Sequence, residues 1–174
     1  MISSIISFIL GFFKKKPALQ QEMKPMSEDS DIPEIENKPY LITEIEILRD
    51  VKREDIPQDH QDNLVVLLER INKVRYAYSR PMKVSSGYRS MADHLRIYAA
   101  KGVTDESKIP MKSSHLKAAA ADISDPKQEL QKWCIDNVSK LEEIGLWCEA
   151  FTATPNWVHF QIFAPKSGNR FFNP

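Results

Sequence analysis

Residues 113–123 read SSHLKAAAADI, and this segment contains a histidine and an aspartate seven positions apart. That spacing does not place His115 and Asp122 on one face of a helix. The two side chains can converge if the chain turns after His115 and enters a strand that carries Asp122. The four alanines between them are small, as tightly packed backbone beside a site would require. Because an ionised carboxylate among apolar residues is costly unless it is paired or bound to a metal, Asp122 indicates a polar site.

A second histidine lies in a strand-like segment near the end of the chain. Residues 157–163 read WVHFQIF and alternate like a half-buried strand, with His159 inside it. Two histidines and one carboxylate can form a three-ligand zinc site whose fourth position is open to water. The spacing His-x6-Asp is not specific by itself, and satisfied core histidines are the alternative. The remaining histidines, His60 and His94, lie among polar residues, and we expect both to be solvated.

The chain from residue 40 onward predicts helices that precede paired strands. Helical spacing of apolar residues and the positions of glycine and proline predict helices at 59–79, at 91–100 and from Asp125-Pro126 to Gly145. Strands are expected at 82–86, 146–151 and 157–163, with a turn at 154–156. The pattern lacks a regular βαβ alternation, which favours an α+β fold.

Composition excludes several classes of protein. The 174 residues contain 24 basic and 24 acidic side chains, so net charge does not favour binding to nucleic acid. The apolar fraction of 42% is enough for a packed core. Only two cysteines occur, which excludes a disulfide framework and a four-cysteine zinc site. We expect Cys134 and Cys148 to be separate core thiols, although an exported domain would allow them to pair.

The first 39 residues differ from the rest. Residues 1–13 read MISSIISFILGFF, carry no charge and precede three lysines. A membrane-spanning helix needs roughly 20 apolar residues, so residues 1–16 are predicted to form a helix on a membrane surface or on a partner protein. Residues 17–39 contain four prolines and six acidic residues against two lysines, which is typical of an extended linker. Residues 40–174 then form the domain, which is close to neutral.

Three motifs resemble those of the zinc D-alanyl-D-alanine metallopeptidases. Residues 113–122 are similar to the signature S-x-H-x-x-G-x-A-x-D of that family. Residues 84–90, VSSGYRS, resemble its S-G-Y-R-S segment, and Trp157-Val158-His159-Phe160 resembles its terminal W-x-H strand. The motifs occur in the family's order and extend over most of residues 80–163. The family includes DD-carboxypeptidases, D-Ala-D-Ala dipeptidases and the L-alanyl-D-glutamate endopeptidases of many phage endolysins.

The resemblance implies a hedgehog/DD-peptidase-type α+β fold and a zinc ion held by His115, Asp122 and His159. It implies that Arg89 binds a substrate carboxylate or stabilises the oxyanion, and that Ser113 binds the substrate's terminus. The expected substrates are the stem peptides of peptidoglycan, so we expect a location at the cell envelope. A phage lysis enzyme, a virion-associated protein and a tethered bacterial enzyme all fit the sequence.

The sequence departs from the family pattern at two positions. Ala118 occupies the glycine position of the signature, where a positive φ is available to alanine only at a cost. Asn156 lies three residues before His159, where many members have an acidic general base, and an amide cannot accept a proton at neutral pH. We retain Asn156 as a substrate-binding candidate. Glu149, an acidic residue in an apolar strand, is the candidate base, and an outward-facing surface position is the alternative.

The sequence fits two functions. One is a zinc peptidase that cuts peptidoglycan stem peptides as a carboxypeptidase or an endopeptidase. The other is a catalytically weak or inactive member that serves as a binding or structural module of a virion or envelope assembly, which Asn156 supports. A hedgehog-like signalling domain shares the fold type but fits less well, since the chain has no processing segment.

Overall fold

The computed structural model describes residues 40–174, and a five-stranded sheet lies at their centre. The predictions for residues 1–16 and 17–39 therefore lie outside the described residues. The strands are β1 (Val84–Ser86), β2 (Ala120–Ser124), β3 (Trp147–Glu149), β4 (Trp157–Gln161) and β5 (Phe171–Phe172). Their order in the sheet is β1-β2-β4-β3-β5, and neighbours are antiparallel except for the parallel pair β3 and β5. The expected α+β class is confirmed.

Five α-helices accompany this sheet within residues 40–174. They are α1 (Glu44–Leu48), α2 (Gln58–Tyr78), α3 (Met91–Ala100), α4 (Glu129–Asp136) and α5 (Val138–Ile144). Three short 3-10 helices are formed by Arg53–Asp55, Glu106–Lys108 and Ser114–Lys117. In this part of the chain, no helix combines the length and the apolar character that crossing a membrane would need.

The helix predicted from Asp125-Pro126 to Gly145 is shorter and is divided in two, which corrects the expectation. Gln128 adopts a left-handed conformation with φ 59°, so α4 begins only at Glu129. Asn137 has φ −125° and ψ 38°, and its side-chain amide donates to the carbonyl oxygen of Trp133 at 2.9 Å. Asparagine side chains that bond nearby backbone compete with helical geometry, which accounts for the break between α4 and α5.

The core lies between the sheet and the long helix α2. One face of α2 is fully buried through Leu64, Leu67, Ile71 and Val74, as its apolar spacing predicts. The alanines at 118–121 are completely buried and belong to or adjoin the same core. Cys134 and Cys148 are both buried, and both are free thiols, as expected.

The two remaining histidines do not have the solvated environments that we expected. His94 in α3 is completely buried, and neither ring nitrogen has a hydrogen-bond partner among the described residues. Its ring lies 5.0 Å from that of Tyr98. The side chain of His60 is 18% exposed, and its ring centre lies 6.0 Å from that of Tyr88. The polar neighbours of both residues in the sequence face other directions on their helices, so local polarity was a poor guide to burial.

Candidate metal centre

The pairing of two strands brings the predicted ligands together. Strands β2 and β4 are antiparallel, and Asp122 lies directly opposite His159. The 3-10 helix Ser114–Lys117 precedes β2 and carries His115. The chain therefore turns after His115 and enters a strand before Asp122, which is the arrangement that the spacing of these residues required.

The turn depends on a left-handed residue at Ala118. This alanine has φ 51° and ψ 30° and ends the 3-10 helix, with its N–H donating to the carbonyls of Ser114 and His115. A positive φ is the conformation that glycine adopts freely and that alanine adopts at a cost. The turn therefore forms even though alanine replaces the glycine of the family signature.

Three ligand atoms converge at the end of this turn. His159 Nδ1 lies 2.8 Å from Asp122 Oδ1, and His115 Nε2 lies 3.3 Å from the same oxygen. The three potential ligand atoms all lie within 4.8 Å of one another, and all three residues are buried. Two imidazoles and one carboxylate are a donor set that suits a transition metal such as zinc.

Each ligand is also held on its other polar atom. His115 Nδ1 lies 2.7 Å from the carbonyl oxygen of Gly87, and His159 Nε2 lies 3.3 Å from Oε1 of Gln161. The guanidinium of Arg89 donates to Asp122 Oδ2 at 3.1 Å, which leaves Oδ1 on the side of the histidines. Partners of this kind orient metal ligands and fix the histidine tautomers. The residues therefore fit a metal ion.

The electrostatics of the three residues agree with this arrangement. Burial alone would raise the pKa of Asp122, but hydrogen bonds from His115 and His159 hold that pKa far below its usual value. Burial lowers the pKa of His115, which favours the neutral imidazole that binds metals. Burial also opposes a charge on His159, but Asp122 and then Glu149 outweigh it and raise the pKa of His159.

A cavity of about 1080 Å³ opens above the three ligands, and it contains most of the other predicted site residues. Arg89, Ser113 and Glu149 line it together with the ligands. The carboxylate Oε1 of Glu149 lies 4.0 Å from His159 Nε2, and the Glu149 side chain is 21% exposed. Asn156 is exposed and does not line this cavity; its backbone carbonyl accepts a hydrogen bond from the N–H of Asp125.

Sequence reasoning missed two residues that support the site. Gln161 lies two positions after His159 and therefore on the same face of β4, which is the signal that could have found it. Its Oε1 also accepts a hydrogen bond from Ser114 at 3.0 Å. Ser86 accepts two hydrogen bonds from Arg89, at 2.9 and 3.1 Å, and its place in VSSGYRS did not reveal this role.

The sheet and the buried group of His115, Asp122 and His159 define an α+β protein with a candidate metal centre. Residues 40–161 match the family model of peptidase M15. The chain belongs to the peptidase M15 family, and the resemblance to the zinc D-alanyl-D-alanine metallopeptidases and to their fold is confirmed.

A crystal structure of the Serratia marcescens L-Ala D-Glu endopeptidase ChiX aligns with 70% of this chain and 99% of its own length, at 19% identity and a TM-score of 0.44. No curated protein matches the chain.

Proposed function

We propose that this protein is a zinc-dependent peptidase that hydrolyses the stem peptides of peptidoglycan. The observation that carries the proposal is the buried group His115, Asp122 and His159 on the floor of a large cavity, in a chain of the peptidase M15 family. The bond cleaved would be of the D-Ala-D-Ala carboxypeptidase or the L-Ala-D-Glu endopeptidase type. Since the substrate is peptidoglycan, the protein would act at the cell envelope, and a phage origin fits equally well.

The three ligands would hold the zinc ion through His115 Nε2, Asp122 Oδ1 and a nitrogen of His159. Bound zinc lowers the pKa of a water molecule from 15.7 to about 7 and polarises the scissile carbonyl. Gly87 and Gln161 would keep the two imidazoles in the required orientation, as their contacts with the ring nitrogens suggest.

Glu149 is our candidate for the general base. Its carboxylate reaches the same cavity beside His159. Among residues 40–174, it is the one acidic side chain lining the cavity that is not a candidate ligand. A carboxylate at this position can accept a proton from the attacking water and pass it to the amine of the leaving group. Proximity to the ligands supports Glu149 over Asn156, whose amide cannot accept a proton and whose side chain does not line the cavity.

Arg89 and Ser113 are our candidates for substrate binding. Arg89 lines the cavity while it donates to Asp122 and Ser86, so part of its planar fork of donors is used to fix its position. The guanidinium can still present N–H groups to a substrate carboxylate or to the oxygen that becomes negative during hydrolysis. Ser113 lines the cavity beside the ligand His115 and can bind the terminus of the peptide.

The N-terminal segments complete the proposal. Residues 1–16 would hold the peptidase domain at a membrane surface or on a partner protein, and residues 17–39 would give it reach toward its substrate. We propose no nucleic-acid partner for either segment.

The test combines metal analysis of the purified full chain with mass spectrometry of digested muropeptides. We expect about one zinc per chain and release of peptides at a single bond type. His115→Ala should lose both zinc and hydrolysis. The matched control is Glu142→Gln, an exposed glutamate of α5, which should behave like the wild type. Wild type, His115→Ala and Glu149→Ala leaving the muropeptides equally intact would overturn the proposal.

The second candidate function is a zinc-containing binding module without efficient turnover. The observation in its favour is Asn156 at the position of the usual base, on the exposed surface. This function predicts that muropeptides bind to the metal-loaded protein and remain uncut. Full hydrolysis by the wild type would exclude it.

A further inference from the structure

The cavity above the metal centre is bounded by segments that carry unequal charge. Its walls come from the end of α3, from residues 110–114 and from the loop after β4. Among the described residues, four cationic side chains line it, against two acidic side chains. The cationic residues are Arg89, Lys101, Lys112 and Lys166, and the acidic residues are Asp122 and Glu149. Both carboxylates lie at the floor, beside the histidines.

The three lysines have no acidic partner among the described residues, unlike four other lysines of the domain. Within residues 40–174, ion pairs engage Lys73, Lys108, Lys132 and Lys140 with nearby carboxylates. Lys101, Lys112 and Lys166 form no such pair in the same part of the chain. They are exposed, and they come from three different walls of one cavity.

The position of one lysine is further defined by an aromatic side chain. The ammonium group of Lys101 lies 5.5 Å from the centre of the Tyr98 ring, and Tyr98 also lines the cavity. This contact holds the cation at the cavity wall without neutralising it. The charge of Lys101 is therefore available to a ligand that enters the cavity.

Cations on several walls of one cleft concentrate the positive potential inside it. A cleft lined by one sign of charge raises the local concentration of ligands of the opposite sign. Asp122 does not cancel this potential, because it is already held by Arg89 and by both histidines. Three lysines then face Glu149, the remaining acidic side chain of the described lining. The rim of the cavity thus favours anionic groups at some distance from the scissile bond.

Building on the proposed function, we propose that Lys101, Lys112 and Lys166 select peptides that carry at least two free carboxylates. One carboxylate lies near the scissile bond, and the others reach the lysines at the rim. A stem peptide whose side-chain carboxylate has been converted to a carboxamide is then a poor substrate. The three lysines determine specificity and take no part in bond cleavage.

The experiment uses the full-length, zinc-loaded protein and a pair of synthetic stem peptides. The peptides are identical except that a side-chain carboxylate of one is a carboxamide in the other. The variants are the triple change Lys101→Gln, Lys112→Gln and Lys166→Gln, and the charge-keeping triple change to arginine. The matched control is Lys83→Gln, which is exposed, unpaired among the described residues and outside the cavity.

We expect the wild type to have a KM about tenfold lower for the acidic peptide, a preference that weakens as salt is raised. The triple glutamine variant should lose this preference through a rise in KM, and the triple arginine variant should retain it. Lys83→Gln should match the wild type. An equal KM for both peptides in the wild type, or an undiminished preference in the triple glutamine variant, would overturn the proposal.

Direct binding separates this proposal from the proposed function. Calorimetric titration of each peptide into the zinc-loaded Glu149→Gln protein measures affinity without turnover. Lysine-dependent preference for the acidic peptide, with no cleavage by the wild type, would support this inference and reject the peptidase. If the wild type cleaves both peptides and both bind with equal affinity, the peptidase is supported and the selection by lysines is rejected. If neither peptide binds and neither is cut, both proposals fail.

Discussion

Asp122 has a different partner on each of its two oxygens. Oδ1 lies between the two histidines, while Oδ2 accepts a hydrogen bond from Arg89. The carboxylate is buried, and its low pKa keeps it ionised across the physiological range. Asp122 therefore connects the candidate metal ligands to Arg89, which we assign to substrate binding. A substitution of a ligand should alter substrate binding, and a substitution of Arg89 should alter metal binding.

The first prediction concerns Glu149. Replacing Glu149 by glutamine removes a proton acceptor but keeps the size and polarity of the side chain. We expect hydrolysis to fall by at least about 100-fold, in the range usual for loss of general acid-base catalysis, while zinc content stays near that of the wild type. The readouts are single-turnover rates and metal analysis. Retained activity in Glu149→Gln, with Glu142→Gln as the matched control, would remove Glu149 from the mechanism.

The second prediction concerns Gln161, which holds the ring of His159. Gln161→Leu removes the oxygen 3.3 Å from His159 Nε2 and replaces the amide by an apolar side chain of similar size. We expect zinc affinity to fall by roughly 10- to 100-fold, as for other groups that orient metal ligands. Competition with a chelator measures the affinity. An unchanged affinity would show that Gln161 does not position His159.

The third prediction compares two fully buried alanines. In Ala118→Gly, relief of the left-handed conformation, about 1–2 kcal/mol, offsets the lost methyl group and the added freedom of the unfolded chain. Ala119 has no positive φ, so Ala119→Gly has no such compensation. We expect the first change to alter the free energy of unfolding by less than about 0.5 kcal/mol and the second to lower it by about 1–2 kcal/mol. Denaturant unfolding tests this, and equal losses would contradict it.

The sequence indicated the candidate metal ligands better than their surroundings. His115, Asp122 and His159 could be proposed as ligands because residue types and motif order constrain metal ligands strongly. His94 was misjudged because its burial is decided by packing against distant segments, which a local polar pattern does not report. The interaction of Gln161 with Ser114, 47 positions away, likewise depends on tertiary structure.

At the scale of elements, Gly87 is the residue after β1 at which the backbone packs closely against α1. A Cβ atom at Gly87 would lie 2.7 Å from the Cα of Ile47, and the next residue, Tyr88, donates its N–H to the Ile47 carbonyl at 2.8 Å. No side chain fits into so close an approach of two backbones. Glycine here is thus required by space, since its φ is not positive.

The fourth prediction follows from that close approach. We expect Gly87→Ala to destabilise the protein by at least about 2 kcal/mol, because backbone must move to admit the methyl group. The shift would also displace the Gly87 carbonyl from His115 Nδ1 and weaken zinc binding. The control is Gly102→Ala, where φ is +78° and the space is open, so that only about 1 kcal/mol of backbone strain is expected. Similar losses of stability and of zinc affinity in both variants would contradict the prediction.

Helices α2 and α3 and strands β1, β3 and β4 were predicted closely, whereas α1 and β5 were not predicted. Helix α2 spans Gln58–Tyr78, against the predicted 59–79. Helix α1 has only five residues, too few for periodicity, although the capping box of Thr43 and Glu46 marks its start. The two-residue strand β5 depends on parallel pairing with β3, a contact that has no local signal.

At the scale of the whole molecule, metal binding should couple to pH through His159. The fifth prediction starts from the pKa of His159, which is raised above 6.5. A metal ligand must lose its proton, so protons compete with zinc below that pKa. We expect zinc affinity to fall by about tenfold per pH unit as the pH drops through this range and to level off above it. Chelator competition at pH values from about 5 to 9 measures this, and a flat profile between pH 8 and 6 would contradict it.

The register between β2 and β4 determines whether the candidate metal ligands come together when the chain folds. In a strand, successive side chains point to opposite faces, so a slip of one residue would send Asp122 and His159 to different sides of the sheet. Such a slipped sheet keeps many of its backbone hydrogen bonds but loses the ligand set. A metal ion at this position would therefore stabilise only those chains in which the two strands are in the correct register, with residues 122 and 159 on the same side of the sheet.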